Sequence, residues 1–455
     1  MWEPGRTFSE FSLLPGYTEK DCVLTNISLE TKLAEELELG IPLLSAAMTS
    51  VTGLEMCSSL GRAGGMGVLP AKMPDSSIVK TIEEIKALDL SFVEDPICVH
   101  EDESIENVVK LIERHGYSTI PVVDRFRHFK GLFVQEEYWK TDARPEDLVT
   151  KAMIPYSKEK KDKNKIEVSF NPDISIEKAK DKLSRTEGKY IVVLDRQERL
   201  RKMAFKQDMD EIKVGVAIST YEGWKKRTEK ALEAGADLIV IDTSDAYNAF
   251  VGKVLERYND MNTGTPICAG NVVTYDGAMF LLDKGADIVK TNMSVGSICT
   301  TQREKATGRA PMAAVLDVER ARQDYARKNE RCTSHIADGG MPGPAEMIIA
   351  LSVCDAVMMG GYFNGFYEAA APKLDKNKKP TTEEDQMRFV ETWGEGSERA
   401  RNLYRYGHSS RKTFFEEGAE GTVPYKGRLK PCLEKDMAKL RAALSTAGAY
   451  DLPEY

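Results

Sequence analysis

Ala236-Asp237-Leu238-Ile239-Val240-Ile241-Asp242 is a short apolar run, β-branched from Ile239 to Ile241 and closed by an acid. It is too short for a buried helix and apolar on both faces, so it reads as a strand covered on both sides, as in a parallel sheet. The pattern returns in Thr265-Pro266-Ile267-Cys268-Ala269-Gly270-Asn271, in Ala286-Asp287-Ile288-Val289-Lys290, in Ser334-His335-Ile336-Ala337-Asp338-Gly339-Gly340 and in Asp355-Ala356-Val357-Met358-Met359-Gly360-Gly361. Amphipathic helical stretches such as Tyr221 to Ala234 and Tyr275 to Lys284 lie between them. Alternating strands and helices predict an α/β fold with a parallel sheet. Each strand ends in Asp, Asn, Lys or a glycine pair, on the rim where (β/α)8 TIM barrels carry their sites. Ile41-Pro42-Leu43-Leu44-Ser45-Ala46-Ala47-Met48 reads as an early strand of the same kind. A doubly wound open sheet competes. The number of strands, and their split between residues 41–90 and 213–370, favour an interrupted barrel.

The interruption is itself repetitive. Ile97-Cys98-Val99, Ser104 to Ile112 and Thr119-Ile120-Pro121-Val122-Val123-Asp124 make a strand, a helix and a strand with an acidic turn. Ile166-Glu167-Val168, Ser175 to Lys180 and Tyr190-Ile191-Val192-Val193-Leu194-Asp195 repeat that order at a period near 70 residues. An internal repeat of this size predicts a paired module inserted as one domain. The charge run from Lys158 to Lys165 between the copies reads as a solvated loop. The predicted divisions are 1–91 for the first part of the catalytic barrel, 92–208 for the paired insert and 209–455 for the remainder.

Composition limits the function. The chain has 455 residues, 42% apolar and 30% charged, enough for a sizeable core. The net charge of −9 is spread without a basic face, which argues against specific nucleic-acid binding. Eight cysteines form no CxxC framework, and Met1-Trp2-Glu3-Pro4 opens no secretory leader, so reduced thiols and a cytoplasmic location are expected. No apolar run approaches the roughly 20 residues that would span a bilayer, so no membrane partner is expected. The five histidines are scattered without metal-ligand spacing.

Gly296-Ser297-Ile298-Cys299-Thr300-Thr301 ends a strand pattern on a glycine-released turn. A thiol on such a loop suits a nucleophile, provided its surroundings stabilise the thiolate. Read alone, a cysteine is more often a small buried hydrophobe. Further on, Trp393-Gly394-Glu395-Gly396-Ser397, Arg399 to Gly407 and Phe415-Glu416-Glu417-Gly418 form a polar, glycine-flanked excursion, the profile of a lid spanning about 380–430.

Taken together these motifs resemble the inosine-5′-monophosphate (IMP) dehydrogenase and guanosine-5′-monophosphate (GMP) reductase family, and the dehydrogenase more closely. The resemblance is carried by Ser45-Ala46-Ala47-Met48, Asp242-Thr243-Ser244, Ala269 to Thr274, Gly296 to Thr301, Ala337-Asp338-Gly339-Gly340, Met358-Met359-Gly360, Gly394 to Ser397 and Arg405-Tyr406. The inserted repeat resembles a pair of cystathionine-β-synthase-type (CBS) modules. The resemblance implies that Cys299 adds to C2 of the purine, that a hydride leaves for NAD, and that water hydrolyses the thioimidate. It implies catalytic roles for Thr301, Arg405 and Tyr406, the last two acting on the water. It implies substrate contacts from Met48, Ser297, Asp338, Gly340, Gly360, Gly361, Gly394, Glu395, Gly396 and Glu417, with Asp338 on the ribose, Gly340, Gly360 and Gly361 at the phosphate and Glu417 on the purine edge. Asp242, Ser244 and Asn271 match the cofactor half. Adenine or guanine nucleotides at the CBS pair and a homotetramer or octamer are further implications.

The chain departs from the family at Asn292, Ser294 and Val295, which stand where glycines precede the cysteine. The family binds potassium there; a weak cation site at the backbone of Asn292, Ser294 and Cys299, with little potassium activation, is therefore expected. Thr392 stands where a phosphate-binding tyrosine is usual, and Gly361 replaces a side chain often bound to phosphate. The alternatives are an NADPH-dependent GMP reductase, which needs no hydrolytic Arg-Tyr pair, a paralogue acting on a modified purine nucleotide, and a nucleotide sensor without turnover.

Overall fold

The computed structural model describes residues 5–88, 92–115, 119–156, 166–186, 188–206, 211–293, 296, 298, 301–403 and 418–455. Eight strands close into a parallel barrel: β1 (Leu43–Ser45), β2 (Met66–Leu69), β3 (Val214–Ile218), β4 (Leu238–Asp242), β5 (Ile267–Val272), β6 (Ile288–Thr291), β7 (Ser334–Asp338) and β8 (Ala356–Met359). Each strand pairs with its neighbours in chain order, and β8 closes onto β1 through Met359 and Ser45. This is the predicted (β/α)8 TIM barrel.

The two faces of each strand serve different cores. Leu44, Val68, Ala217, Leu238, Val240, Cys268, Ile288, Ile336 and Met358 fill the interior. Ile239, Ile241, Ala269 and Val289 pack outward against the helical ring, which includes Trp224–Glu233, Ala249–Asp260 and Tyr275–Asp283. Side chains alternate with period two along a strand. If 238 and 240 point inward on β4, so does 242. By the same count Lys290 follows Ile288 on β6, and Asp338 follows Ile336 on β7. The uppermost interior layer of the barrel is therefore charged.

Gly270 makes that layer possible. The register sets Asp242 beside Gly270 and Gly270 beside Lys290. A Cβ at 270 would lie 2.6 Å from both the Cβ and the carbonyl oxygen of Lys290. Only a residue without a side chain leaves Lys290 room to extend across the barrel toward Asp242.

The chain separates into two compact units, residues 1–88 with 212–455 and residues 89–211. The second unit holds two four-stranded sheets, each including one strand–helix–strand repeat. In the first copy Ile105–His115 lies between strands Val99–His100 and Thr119–Val123, and in the second Ile176–Ser184 lies between Ile166–Ser169 and Tyr190–Leu194. Both copies turn on an aspartate. Asp124 accepts from the backbone N–H of Phe126 and His128, both at 2.9 Å. Asp195 accepts from those of Gln197 at 2.8 Å and Arg199 at 3.0 Å. The copies then exchange backbone hydrogen bonds, Phe129 N–H to the Glu198 carbonyl and Leu200 N–H to the Arg127 carbonyl, each 3.1 Å. Val123, Phe129, Leu132, Val192, Leu194 and Leu200 bury a shared apolar core between them. The repeat is thus a pseudo-symmetric pair rather than two separate modules.

Two expectations follow. Gly270→Ala is expected to destabilise the protein by about 1–3 kcal/mol through overpacking, read as a lower urea midpoint; a change below about 0.5 kcal/mol would contradict the steric argument. For Asp195, burial opposes ionisation, but the backbone N–H groups and guanidiniums of Arg199 and Arg201 outweigh it and lower the pKa to about 2. The folded value lies below the unfolded one of about 3.9, so this stabilisation is present above about pH 4 and is lost as pH falls toward 2. Hydrogen-exchange protection at Val192 and Val193 is expected to differ between wild type and Asp195→Asn near pH 6, and to converge toward pH 2. A difference independent of pH would refute the assignment.

Candidate active site

The barrel's charged layer centres on one buried cation. Lys290 is 0% exposed. Its ammonium donates to Asp242 Oδ1 at 2.7 Å and also to Asn271 Oδ1 and Asp338 Oδ2. An ammonium has three N–H groups, and each has a partner here. Burial disfavours its charge, but the two carboxylates and their hydrogen bonds more than compensate, and the pKa is raised above the ordinary lysine value. Asn271 reinforces the cluster, donating from Nδ2 to Asp338 Oδ2 at 3.0 Å and to the Asn292 carbonyl at 2.7 Å. Asp242, Asn271 and Asp338, assigned by sequence to different ligand contacts, therefore share one network. Ser244 lies nearby in sequence but is exposed and outside it.

Each carboxylate keeps one oxygen out of this network. Among the described residues, Asp242 Oδ2 and Asp338 Oδ1 have no protein partner, and the side chains are 30% and 20% exposed. A fixed carboxylate with an open oxygen at a barrel rim suits the hydroxyls of a ribose. Asp242, with Asn271 behind it, and Asp338 each present one such acceptor, which fits both to the hydroxyls of a sugar.

Beyond β6 the chain enters the cysteine loop. Asn292 is buried with φ +95°, a conformation that asparagine tolerates better than a branched residue. Its carbonyl accepts the Asn271 hydrogen bond, while its Oδ1 is buried with no partner among the described residues. Ser294, Val295, Ser297 and Cys299 lie outside the described residues. Thr301 is buried at the start of the helix Thr301–Lys305. No group of three or more His, Cys, Asp or Glu that could hold a metal occurs among the described residues.

Three other cysteines, Cys57, Cys268 and Cys354, behave as core groups. Burial pushes the Cys57 and Cys268 thiols up to about 12, and Cys354 well above its ordinary value. They stay protonated at neutral pH and are poor nucleophiles.

The glycine pairs sit on the same rim. Gly339 and Gly340 take φ values of +82° and +80°, reserved in practice for glycine, and the Gly339 N–H donates to the Met358 carbonyl at 2.9 Å. Gly360 packs close to Met48: a Cβ there would lie 2.8 Å from its sulfur. Ala46 N–H donates to the Met359 carbonyl at 3.0 Å, which brings the ends of β1 and β8 together. Gly361 is exposed, and Thr392 is buried with its hydroxyl unpartnered among the described residues.

The lid segment is rooted against the cysteine loop at both ends. The strand Phe389–Trp393 leads into Gly394, whose N–H donates to the Ala419 carbonyl at 3.0 Å. Ala419 N–H in turn donates to the carbonyl of Ile298, the residue before Cys299, at 2.9 Å. A Cβ on Gly394 would stand 2.7 Å from that Ile298 oxygen and 3.2 Å from Gly418 Cα. Gly394 thus permits three strands of chain to meet. Arg405, Tyr406 and Glu417 lie outside the described residues, within the segment these two roots enclose. Glu395 is already engaged: its Oε1 accepts from Thr49 N–H at 2.6 Å and Thr49 Oγ1 at 2.7 Å, and its Oε2 lies 3.5 Å from Lys72 Nζ. Its carboxylate ties the lid root to the loop after β1, and its backbone carbonyl accepts a further hydrogen bond from the Lys72 ammonium.

Sequence reading recognised Lys290 only as a strand end and passed over Thr49 and Lys72. The signal for Lys290 was available: it stands at an inward position of an apolar strand, as Asp242 and Asp338 do. Nothing in sequence couples Thr49 and Lys72 to Glu395, more than 300 residues away.

The family model described as "IMP dehydrogenase / GMP reductase domain" matches residues 5–455. Inosine-5'-monophosphate dehydrogenase from Tritrichomonas foetus is 30% identical over 482 aligned residues, covering 99% of this chain and 92% of that protein. The enzyme of the same name from Aquifex aeolicus is 27% identical, covering 99% and 91%. Among solved structures, GMP reductase from Trypanosoma brucei in complex with guanosine 5'-monophosphate is similar with a TM-score of 0.67 at 22% identity, covering 100% of this chain and 94% of that one. That likeness is one of fold.

Glu395→Ala is expected to cost about 1–3 kcal/mol, because it leaves the Thr49 donors without their acceptor. Glu395→Gln retains a neutral acceptor for Thr49 and should cost less than about 1 kcal/mol. Hydrogen exchange at residues 48–50 and 393–397 would report the loosening in the alanine variant. Equal effects of the two substitutions would show that the Lys72 ion pair, not Thr49, anchors the lid root.

Proposed function

The chain belongs to the IMP dehydrogenase / GMP reductase family, and on that premise we propose that it is an NAD-dependent IMP dehydrogenase, oxidising IMP to xanthosine monophosphate. The carrying observation is the pair of lid roots at Gly394 and Ala419, tied to the residue before Cys299. They hold the ends of a segment containing Arg405 and Tyr406 beside the nucleophile's loop. A hydrolytic half-reaction needs such a segment; a reductase does not.

In this reading Asp338 accepts the hydroxyls of the IMP ribose, and the backbone at Gly340, Gly360 and Gly361 accommodates the phosphate, where glycine allows close approach. Met48, Gly394, Glu395 and Gly396 line the purine end with Ser297, and Glu417 reads the purine edge. Cys299 attacks C2 as the thiolate, with Thr301 beside the reacting purine. Bound NAD supplies the hydride acceptor, its nicotinamide ribose held by Asp242, with Ser244 and Asn271 nearby. The enzyme-bound thioimidate is then hydrolysed by a water that Arg405 and Tyr406 orient and deprotonate. Since the pKa of a guanidinium exceeds about 12, Tyr406 and confinement by the closed lid must assist.

The inserted unit functions as a CBS pair that binds adenine or guanine nucleotides; its reciprocal backbone bonds and shared core support a tandem module. Potassium activation is weak, since the Asn292 carbonyl is already committed to Asn271. Assembly as a homotetramer or octamer in the cytoplasm completes the proposal. Among the described residues no helix is long and apolar enough to cross a membrane.

Cys299→Ala is expected to lower turnover of IMP with NAD more than about 100-fold, or about 2.7 kcal/mol in barrier. Arg405→Ala should leave a rapid burst of NADH followed by a slow steady state, with covalent intermediate accumulating. Equal losses in both phases would assign the lid to closure alone. Oxidation of NADPH with GMP, unaffected by Arg405→Ala, would give the reductase instead.

A further inference from the structure

We propose that Lys290 is a positioning residue that couples the nucleotide and cofactor subsites, one ammonium holding the carboxylate for each. The proposal rests on the assignment of Asp338 to the substrate ribose and Asp242 to the nicotinamide ribose made above.

Lys290 is wholly buried, so it reaches no ligand directly. Its influence passes through its three partners, which come from three different strands: Asp242 at the end of β4, Asn271 on β5 and Asp338 at the end of β7. With all three of its N–H groups used, the ammonium fixes the rotamer of each partner relative to the others. Asn271 adds a second link, joining Asp338 Oδ2 to the Asn292 carbonyl at the base of the cysteine loop. Each aspartate commits one oxygen inward and keeps the other at the rim. A ribose that immobilises Asp338 therefore tightens its grip on Lys290, and Lys290 in turn restrains Asp242.

Removing the ammonium has a definite consequence. Two carboxylates that share one cation would then face each other across a few ångströms with little solvent between them, a like-charge pair that neither side chain can escape without rotating away. Each would turn toward water independently of the other. Each subsite would keep its acceptor, but the link between them would be lost. A residue that merely fills space would affect both subsites alike and leave their mutual dependence intact.

The test measures that dependence at equilibrium, in full-length protein carrying Cys299→Ala so that no turnover occurs. Calorimetry gives the dissociation constants of IMP and of NAD, each alone and with the other saturating. The coupling factor must be the same in both directions. In the Lys290-intact protein it is expected to be about 10-fold, within the usual range of such couplings. Lys290→Met should reduce it to below about 2-fold, and Lys290→Arg, which retains a buried cation, should restore a part of it. A well-folded Lys290→Met protein that keeps the full coupling factor, even with both affinities weakened, overturns the proposal. If the methionine variant does not fold, Lys290→Arg and Lys290→Gln decide it, since the proposal requires the arginine variant to exceed the glutamine variant in coupling. Failure of the Lys290-intact protein to bind IMP at all would overturn the functional reading itself, an outcome distinct from binding without coupling.

Discussion

A single buried ammonium sets the terms for the catalytic end of this barrel. Charge inside a protein is tolerated only when paired and fully hydrogen-bonded. Lys290 meets that requirement by drawing Asp242, Asn271 and Asp338 from separate strands into one cluster. The demand propagates outward. Gly270 must lack a side chain so that Lys290 can extend past it, and Asn271 must orient its amide to serve both Lys290 and Asp338. The lower barrel is apolar, with Leu238, Val240, Ile288 and Ile336 filling its interior. On β4, β6 and β7 the change from apolar to ionic therefore occurs over a single step of two residues, which places the charges at the rim.

The second organising feature is the convergence of distant segments on the cysteine loop. Ile298 is joined through Ala419 to Gly394, and Glu395 is joined to Thr49 after β1. These are backbone and short side-chain contacts, so they specify position closely. Both roots of the excursion between Gly394 and Ala419 are thereby held in register with the residue before Cys299. This separates the site into a rigid half, built on the ends of β4 to β8, and a half that belongs to an excursion of the chain.

The inserted unit shows the same economy in another form. Its two copies share a turn in which an aspartate captures backbone N–H groups, and the turns bond to each other reciprocally. The pairing explains why the repeat occurs as a tandem: Val123 and Phe129 of the first copy share one buried cluster with Leu194 and Leu200 of the second.

Much of this was legible in the sequence because it is local. Apolar runs closed by polar residues marked β4 to β8, since a strand covered on both faces cannot alternate with polar side chains. The repeat announced itself by period, and Asp242, Asp338 and the glycine pairs by their place at strand ends. Motif resemblance pointed to Cys299 and to the Arg405-Tyr406 pair. What sequence could not determine was which of these residues touch. Lys290 appeared as another strand end, because its importance lies in the register that aligns it with Gly270 and Asp242 and in barrel closure that brings β7 around to it. Glu395 appeared as a ligand residue, and only folding revealed that its carboxylate already belongs to Thr49 and lies within reach of Lys72. Periodicity and composition are properties of neighbours along the chain. A buried charge network is a property of strands separated by dozens of residues, and it exists only once the barrel has closed and excluded water from the space they share.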